Sequence, residues 1–153
     1  MKLASVAALL YVPLVLAAAE PPTCRFVVGY AGYDAKWLVS QGSAQVTQTT
    51  SGFEARLFGD GGSAEPTHQL RGTTKQGRAT AVLINMFSDA GPDSVSGSVV
   101  SSKVEVSPRV SKVSESLVVQ SATSFASLAC FGETSRLTSR SSRPPAAAAE
   151  LKR

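Results

Sequence analysis

The sequence predicts an all-β protein, in which an antiparallel meander closes as a small up-and-down β-barrel of about eight strands. Between Phe53 and Val100, short apolar runs alternate with glycine-bearing turns at an even spacing that is typical of such a meander. Cys24 and Cys130 lie on the first and last predicted strands, so a bond between them would close the seam of a barrel. A β-sandwich, or a barrel with one helix near residues 110–122, is the alternative.

Alternation of apolar and polar side chains justifies the strands one by one, because a half-buried strand turns every second side chain toward the core. Residues 53–58 show this pattern most clearly, with Phe53, Ala55 and Leu57 on one face. The strands are predicted at residues 24–30, 36–40, 53–58, 67–72, 78–87 and 94–100, with a further strand that contains Ala44 and Val46. Residues 103–106 can extend the strand at 94–100. The turns between them are predicted at Gln41-Gly42, Gly59 to Gly62, Lys75 to Gly77 and Asp89 to Asp93.

Two interpretations compete for residues 110–125. Val113 and Leu117 lie at helical spacing, whereas the many β-branched, serine and threonine residues of this segment favour strands and turns. We therefore predict strands over residues 115–120 and 125–131 with a short turn between them. A helix is the alternative.

The N-terminal residues 1–19 predict a secretory signal peptide. Lys2 supplies the positive start, residues 3–16 are apolar, and Ala17 to Ala19 offer small side chains for cleavage. We expect a mature chain that begins at Glu20 and is secreted, to the extracellular or periplasmic space. No membrane segment is expected after cleavage, because no later stretch approaches the roughly 20 apolar residues of a spanning helix. An uncleaved anchor is the alternative.

The formal net charge of +4 is unevenly distributed along the chain. Residues 20–133 hold nine Lys or Arg against ten Asp or Glu, whereas residues 134–153 hold five against one. The second segment is rich in Ser, Arg, Pro and Ala and lacks apolar periodicity, so it predicts a disordered basic tail after a single β-domain over residues 20–133. The nearly neutral body gives no electrostatic basis for binding nucleic acid.

The two cysteines fit an exported protein. In an oxidising compartment, Cys24 and Cys130 are expected to form a disulfide, and two buried free thiols are the alternative. Closing so long a loop would stabilise the fold by roughly 4 to 5 kcal/mol in the chain-entropy model.

One stretch of the sequence places a tryptophan strand, a Gly-Ser turn and a phenylalanine strand one after another. It contains Trp37, Gly42-Ser43, Val46 and Gly52-Phe53. This succession resembles the opening of the avidin family. It implies a shared barrel architecture and no more, because Trp37 is the only tryptophan whereas that family lines its biotin pocket with several. The lipocalin Gly-x-Trp signature is absent, since Gly32 lies five residues before Trp37.

Residue patterns for catalysis or metal binding are missing, so we expect no enzyme, no metal site and no cofactor. His68 is the only histidine, no Gly-x-Ser-x-Gly motif is present, and one histidine with two bonded cysteines cannot form a zinc site. Asp89 and Asp93 resemble the start of a calcium loop, but the remaining oxygen ligands are missing and a turn explains them better. A carboxylate pair for glycoside hydrolysis stays open among Asp34, Glu54, Asp60 and Glu65.

Aromatic residues supply the candidate ligand-binding set, because tyrosine and tryptophan can stack on a sugar or an apolar ligand and keep a polar group available. The candidates are Tyr30, Tyr33, Trp37, Phe53 and Phe58. The alternative is that they fill the core of a small barrel. For Trp37 we expect burial in the core, and a pocket mouth is the alternative. We expect His68 to be a packing or surface residue.

Two functions are consistent with these observations. The first is a secreted binding module for a small apolar or carbohydrate ligand or an extracellular protein partner. The second is a secreted structural or effector-like interaction protein with a filled core and no ligand. An interior cavity of about 300 Å³ or more would favour the first.

Overall fold

A computed structural model of the chain describes residues 23–138, which form one closed antiparallel barrel. The eight strands are β1 Thr23–Ala31, β2 Trp37–Gln48, β3 Phe53–Gly59, β4 His68–Lys75, β5 Arg78–Asn85, β6 Asp93–Ser107, β7 Val110–Gln120 and β8 Ser124–Gly132. Each strand pairs with its neighbours in sequence, and β1 pairs with β8. The predicted up-and-down barrel is therefore confirmed, and both the sandwich and the helix near residues 110–122 are wrong.

Alternation produces the core, because every second side chain of each strand points into the barrel. Leucine, valine and phenylalanine account for most of the buried apolar side chains of the strands. The largest of them are Phe26, Phe53, Leu57, Leu70, Leu83, Leu117 and Leu128. The described residues hold no helix of the length and hydropathy needed to span a membrane.

The seam of the barrel carries the predicted disulfide. Cys24 lies directly opposite Cys130 in the pairing of β1 with β8, and the two residues are bonded with their Cα atoms 4.1 Å apart. The sequence prediction is confirmed. Because reducing compartments keep thiols free, the bond indicates a non-reducing compartment.

The predicted turn at Gln41-Gly42 is wrong, since β2 continues through it as a single strand. Gly42 pairs with Phe26 on one side and with Gly59 on the other. A Cβ atom on Gly42 would lie 2.0 Å from the carbonyl oxygen of Phe58. The glycine therefore permits a close approach of two strands, which is the other common reason for a glycine inside a strand.

The hairpin of β6 and β7 extends beyond the barrel wall. β5 pairs with β6 only as far as Ser98, and β8 pairs with β7 only from Val113 onward. Between these points β6 and β7 pair with each other up to the match of Ser107 with Val110. The result is a projecting two-stranded ribbon.

The segment Thr134–Thr138, which we call the strap, lies at the same end of the barrel as the projecting ribbon. It crosses the barrel end, and the side chain of its Leu137 is completely buried. Thr74 donates a hydrogen bond to the Leu137 carbonyl (2.8 Å), and Gln48 donates one to the Thr138 carbonyl. The strap therefore packs against the barrel beyond Glu133, where the sequence placed the end of the domain. Residues 139–153 of the predicted tail, like the predicted signal peptide, lie outside the described residues.

Sequence analysis missed the strap for a physical reason. A single apolar residue in a polar segment produces no periodicity, and the partners that hold Leu137 in place are far away in sequence. The buried Glu115, which is only 2% exposed, accepts hydrogen bonds from the backbone N–H groups of Arg136, Leu137 and Thr138 and from the Ser135 hydroxyl. These contacts depend on the closed barrel.

Candidate functional site

The end of the barrel opposite the strap forms an open cup. It lies where β1 and β5 end and where β2, β4 and β6 begin, and its cavity has a volume of about 490 Å³. The residues around it are Tyr30, Ala31, Tyr33, Leu38, Val39, Ser40, His68, Leu83, Asn85, Ser88, Ala90, Gly91 and Asp93. Most of this lining is apolar, with a few polar groups near the floor.

Strand alternation positions the side chains of the cup. Tyr30 follows Phe26 and Val28 on the inward face of β1, and it lies opposite Leu38 of β2. His68 takes the corresponding inward position at the start of β4, one layer above Leu70. The core thus closes the barrel below the cup.

His68 is buried in the floor, where it contacts two aromatic rings. Its ring stacks on Tyr30 with the centroids 5.7 Å apart and the planes at 20°, and it lies 6.3 Å from the Phe26 ring. Burial lowers the pKa of His68 below its ordinary value. The imidazole is therefore neutral at neutral pH.

One tautomer of His68 is compatible with both hydrogen bonds of Thr67. When the Thr67 hydroxyl donates its one hydrogen to the Leu57 carbonyl oxygen (3.1 Å), it accepts from His68 Nδ1 at 2.9 Å. In that tautomer Nδ1 carries the proton and Nε2 is a hydrogen-bond acceptor.

Tyr30 contributes the second polar group of the floor. Its hydroxyl is buried and has no hydrogen-bond partner among residues 23–138. Burial, and then the charge of Asp93, raise the pKa of Tyr30 to about 12. The hydroxyl therefore stays protonated at neutral pH.

Asp93 supplies the negative charge near the cup. Its Oδ2 atom accepts hydrogen bonds from the hydroxyls of Ser124, Ser121 (2.7 Å) and Thr123 (3.4 Å), which joins the start of β6 to the turn between β7 and β8. The bonds from Ser124 and Ser121 lower the pKa of Asp93 more than desolvation raises it. The carboxylate is therefore ionised and disfavours an anionic ligand.

The structure separates the five aromatic candidates. Tyr30 and Tyr33 line the cup, and Tyr33 stands at its rim with a fully exposed side chain. Phe53 is buried in the core, at the start of β3 near the strap, and Phe58 lies on the outer wall with the Arg56 guanidinium 5.8 Å from its ring centroid. The set therefore does not form one site.

Trp37 is 49% exposed, so the expectation that it lies in the core is wrong. As the first residue of β2 it points outward, and its ring contacts Phe125 edge to face at 5.4 Å between centroids. The Phe125 ring covers Gly29 so closely that a Cβ atom there would lie 2.2 Å from it. Trp37 and Phe125 thus shield a glycine of the barrel wall from outside.

Sequence analysis did not assign His68, Asp93 or Leu38 to a binding site. The strand pattern contained a signal for two of them: Leu38 and His68 are the first inward-facing residues of β2 and β4, as Tyr30 is the last inward-facing residue of β1. In an up-and-down barrel these positions meet at one end. Listing the inward-facing residue nearest the end of each predicted strand would therefore have placed these residues together.

Large exposed apolar side chains surround the mouth of the cup. They belong to the β1–β2 loop, the start of β2 and the β5–β6 loop, and they are Tyr33, Leu38, Val39, Met86 and Phe87. We call this group the rim. A concentration of exposed apolar residues at one place marks a ligand or partner surface more often than scattered ones do.

Residues 23–138 contain no group of three or more His, Cys, Asp or Glu side chains placed to hold a metal ion. No family model, curated protein or solved structure matches this chain.

Proposed function

We propose that this protein is a secreted binding module that holds a small, uncharged, mainly apolar molecule in the cup. The observation that carries the proposal is the cavity of about 490 Å³ at the open end of the barrel. Its volume lies within the range of about 300 to 1,000 Å³ that small-molecule sites occupy. Secretion is supported by the signal-like residues 1–19 and by the disulfide, which needs a non-reducing compartment.

The lining favours an apolar ligand over a carbohydrate. Leu38, Val39 and Leu83 offer aliphatic surface, whereas a sugar would need many hydrogen-bonding partners around its ring. The floor offers few: the Tyr30 hydroxyl as a donor and His68 Nε2 as an acceptor. A hydroxyl or amide group on the ligand matches this pair, because either group can both donate and accept.

The unpaired Tyr30 hydroxyl gives a reason for a polar group at the buried end of the ligand. A buried hydrogen-bonding group without a partner costs about 1 to 3 kcal/mol. A ligand that supplies the missing partner recovers this free energy. The ionised Asp93 nearby opposes a carboxylate in the same place.

Titration with N-phenyl-1-naphthylamine, a neutral apolar dye, tests the proposal. We expect saturable binding of one dye per barrel, and we expect 1-octanol to displace the dye better than octanoate because of Asp93. Leu38→Glu should weaken binding at least about tenfold, since it places a charge at the mouth of the cup. Leu38 is 67% exposed, so the variant should still fold.

Val118→Glu is the matched control, because Val118 is also an exposed aliphatic residue but lies on the outer face of β7. It should bind the dye like the parent protein. Equal weakening by both variants, or binding that does not saturate, would contradict the proposal. Native mass spectrometry of the exported protein would show in addition whether a small molecule copurifies.

An interaction protein without a ligand is the second candidate, and the rim favours it. Exposed side chains such as Phe87 and Met86 could contact a partner protein whether or not the cup is filled. The dye separates the two candidates. A partner surface alone gives no saturable displacement by octanol.

A further inference from the structure

The ribbon formed by β6 and β7 has an unpaired outer edge. β5 leaves β6 after Ser98, and the last contact on that side is the hydrogen bond from the Val99 N–H to the Gly77 carbonyl (2.9 Å). From Val100 to Ser107, no strand among residues 23–138 pairs with this edge, and every side chain is exposed. An exposed edge of this kind is a template for another strand.

The direction of the backbone groups along the edge can be read from Val99. In an antiparallel strand, the N–H and C=O groups of alternate residues point to the same side. The backbone N–H of Val99 points toward β5. Ser101, Lys103 and Glu105 therefore present their backbone N–H and C=O groups to the outer edge. The backbone groups of the residues between them point toward β7.

We propose that two copies of this chain pair through these edges, antiparallel, about a two-fold axis at Val104. In this register Lys103 lies opposite Glu105 of the partner subunit, and the symmetry repeats the pair on the other side of the axis. Both residues present backbone groups to the edge, so each pair can exchange both of its backbone hydrogen bonds. The same patch serves both copies, as a two-fold interface requires.

The charges of Lys103 and Glu105 favour this register over the neighbouring registers of the same edge. An axis at Lys103 would place this lysine opposite its own copy, and an axis at Glu105 would do the same for the glutamate, and like charges directly opposite each other are unfavourable. An axis at Ser102 would place Glu105 opposite Val99, whose N–H is already bonded to Gly77. Only the axis at Val104 brings unlike charges together on the free part of the edge.

The outer face of the ribbon supports the same pairing. Val100, Val104 and Val106 lie on it and are exposed. At a non-hydrogen-bonded pair the two Cα atoms lie about 4.5 Å apart, so Val104 would contact Val104 of the partner subunit. The register shift between Glu105 and Ser107 ends the regular edge there, so the contact is short and the dimer reversible.

Sedimentation equilibrium of the purified protein, with residues 139–153 retained, tests the proposal through charge reversal. The parent protein should associate to a dimer as its concentration rises. Lys103→Glu and Glu105→Lys should each raise the dissociation constant at least about tenfold, because each places like charges opposite each other twice. The double variant should recover the dimer, because it restores unlike pairs in reverse.

Two matched controls change the same charges elsewhere. Lys36→Glu alters an exposed lysine near the cup, and Glu65→Lys alters an exposed glutamate in the β3–β4 loop. Both should leave the dissociation constant unchanged. If the controls act as strongly as the edge variants, or if the double variant stays monomeric, pairing in this register is excluded.

A single introduced cysteine locates the axis. Val104→Cys should cross-link two copies on oxidation, since the expected Cα separation fits a disulfide. Val100→Cys should not, because the same register keeps the two copies of residue 100 roughly 25 Å apart. Equal cross-linking at both positions would indicate random collision and overturn the proposal.

A protein that stays monomeric at every concentration also overturns it. In that case hydrogen exchange shows what occupies the edge. Protection of the Ser101, Lys103 and Glu105 amides in the monomer would assign the edge to the chain's own residues 139–153.

Discussion

At one end of the barrel, Leu137 fills the opening and the strap lies across it, whereas at the other end the strands leave a cup of about 490 Å³. The disulfide lies toward the closed end, on the first residues of β1 and near the end of β8. The exposed apolar rim lies at the open end. Covalent and packing constraints are therefore collected at one end, which leaves the other free to carry a binding surface.

The two ends also use their carboxylates differently. Asp93 at the open end accepts hydrogen bonds from side-chain hydroxyls and joins β6 to the β7–β8 turn. Glu115 at the closed end accepts them from three successive backbone N–H groups, so it orders the main chain of the strap itself. A carboxylate that binds backbone donors can hold a segment that has no regular secondary structure. The following predictions measure how unequal the two ends are.

Removing the disulfide should have the largest effect. The bond closes a loop with a sequence separation of 106, so the variant Cys24→Ala/Cys130→Ala should lose about 4 to 5 kcal/mol of unfolding free energy in the chain-entropy model. Denaturant titration measures the loss, and reduction of the parent protein is the control. A loss below about 1 kcal/mol would mean that the closed end is held by packing alone.

A pair of leucines compares the ends directly. Leu137→Ala should cost about 2 to 5 kcal/mol, because the side chain is completely buried. Leu38→Ala at the cup should change stability by less than about 0.5 kcal/mol, because its side chain is exposed. Thermal and denaturant unfolding of both variants test this. A loss for Leu137→Ala as small as the one expected for Leu38→Ala would show that the strap does not stabilise the folded domain.

The Glu115 carboxylate makes the closed end sensitive to acid. Burial raises the pKa of Glu115, but the donors of the strap lower it more, so its folded-state pKa lies below the ordinary value of 4.5. The carboxylate therefore contributes its full stability above that ordinary value, and the contribution is lost as the pH falls through it and then through the folded-state value.

Glu115→Gln should remove about 1.5 to 3 kcal/mol at neutral pH, because hydrogen bonds to a charged acceptor are the stronger ones. The loss should shrink as the pH falls below 4.5, since the parent protein loses the same contribution there. Unfolding free energies measured across this pH range give the answer. Glu65→Gln, at an exposed position, is the control and should change nothing.

A smaller effect than those at the closed end is expected for Trp37 at the open end. Its edge-to-face contact with Phe125 should contribute about 0.5 to 1.5 kcal/mol, well below the cost of removing a buried tryptophan. A double-mutant cycle with Trp37→Ala and Phe125→Ala isolates this contact. A loss of 3 kcal/mol or more for Trp37→Ala alone would mean that the outer wall of the open end is as tightly packed as the core.

The sequence located most strands because their signal is local. Alternation identified β1, β3 and β8 within one or two residues of their observed bounds. The turn at Lys75 to Gly77 is confirmed. Its central residues Gln76 and Gly77 adopt φ values of 52° and 76°, and positive φ at both positions is what a type I′ hairpin turn requires. The two cysteines, one on the first strand of the chain and one on the last, were enough to predict that these strands pair at the seam.

Gly42 shows where such local reasoning ends. A glycine in a serine-rich stretch predicts a turn as readily as a close contact, and only the position of β3 against β2 decides between the two. Trp37 shows the same limit, because a side chain's direction depends on the register of its strand and a shift by one residue reverses it.

What the sequence by itself determined is the all-β class, the order of the strands along the chain and their closure through Cys24 and Cys130. The tertiary structure alone decided which end stays open. That choice depends on contacts between distant residues, such as Glu115 with the strap and Tyr30 with His68, and no pattern within a single segment encodes them. Local periodicity sets the strands, but the meeting of strand ends creates the cup.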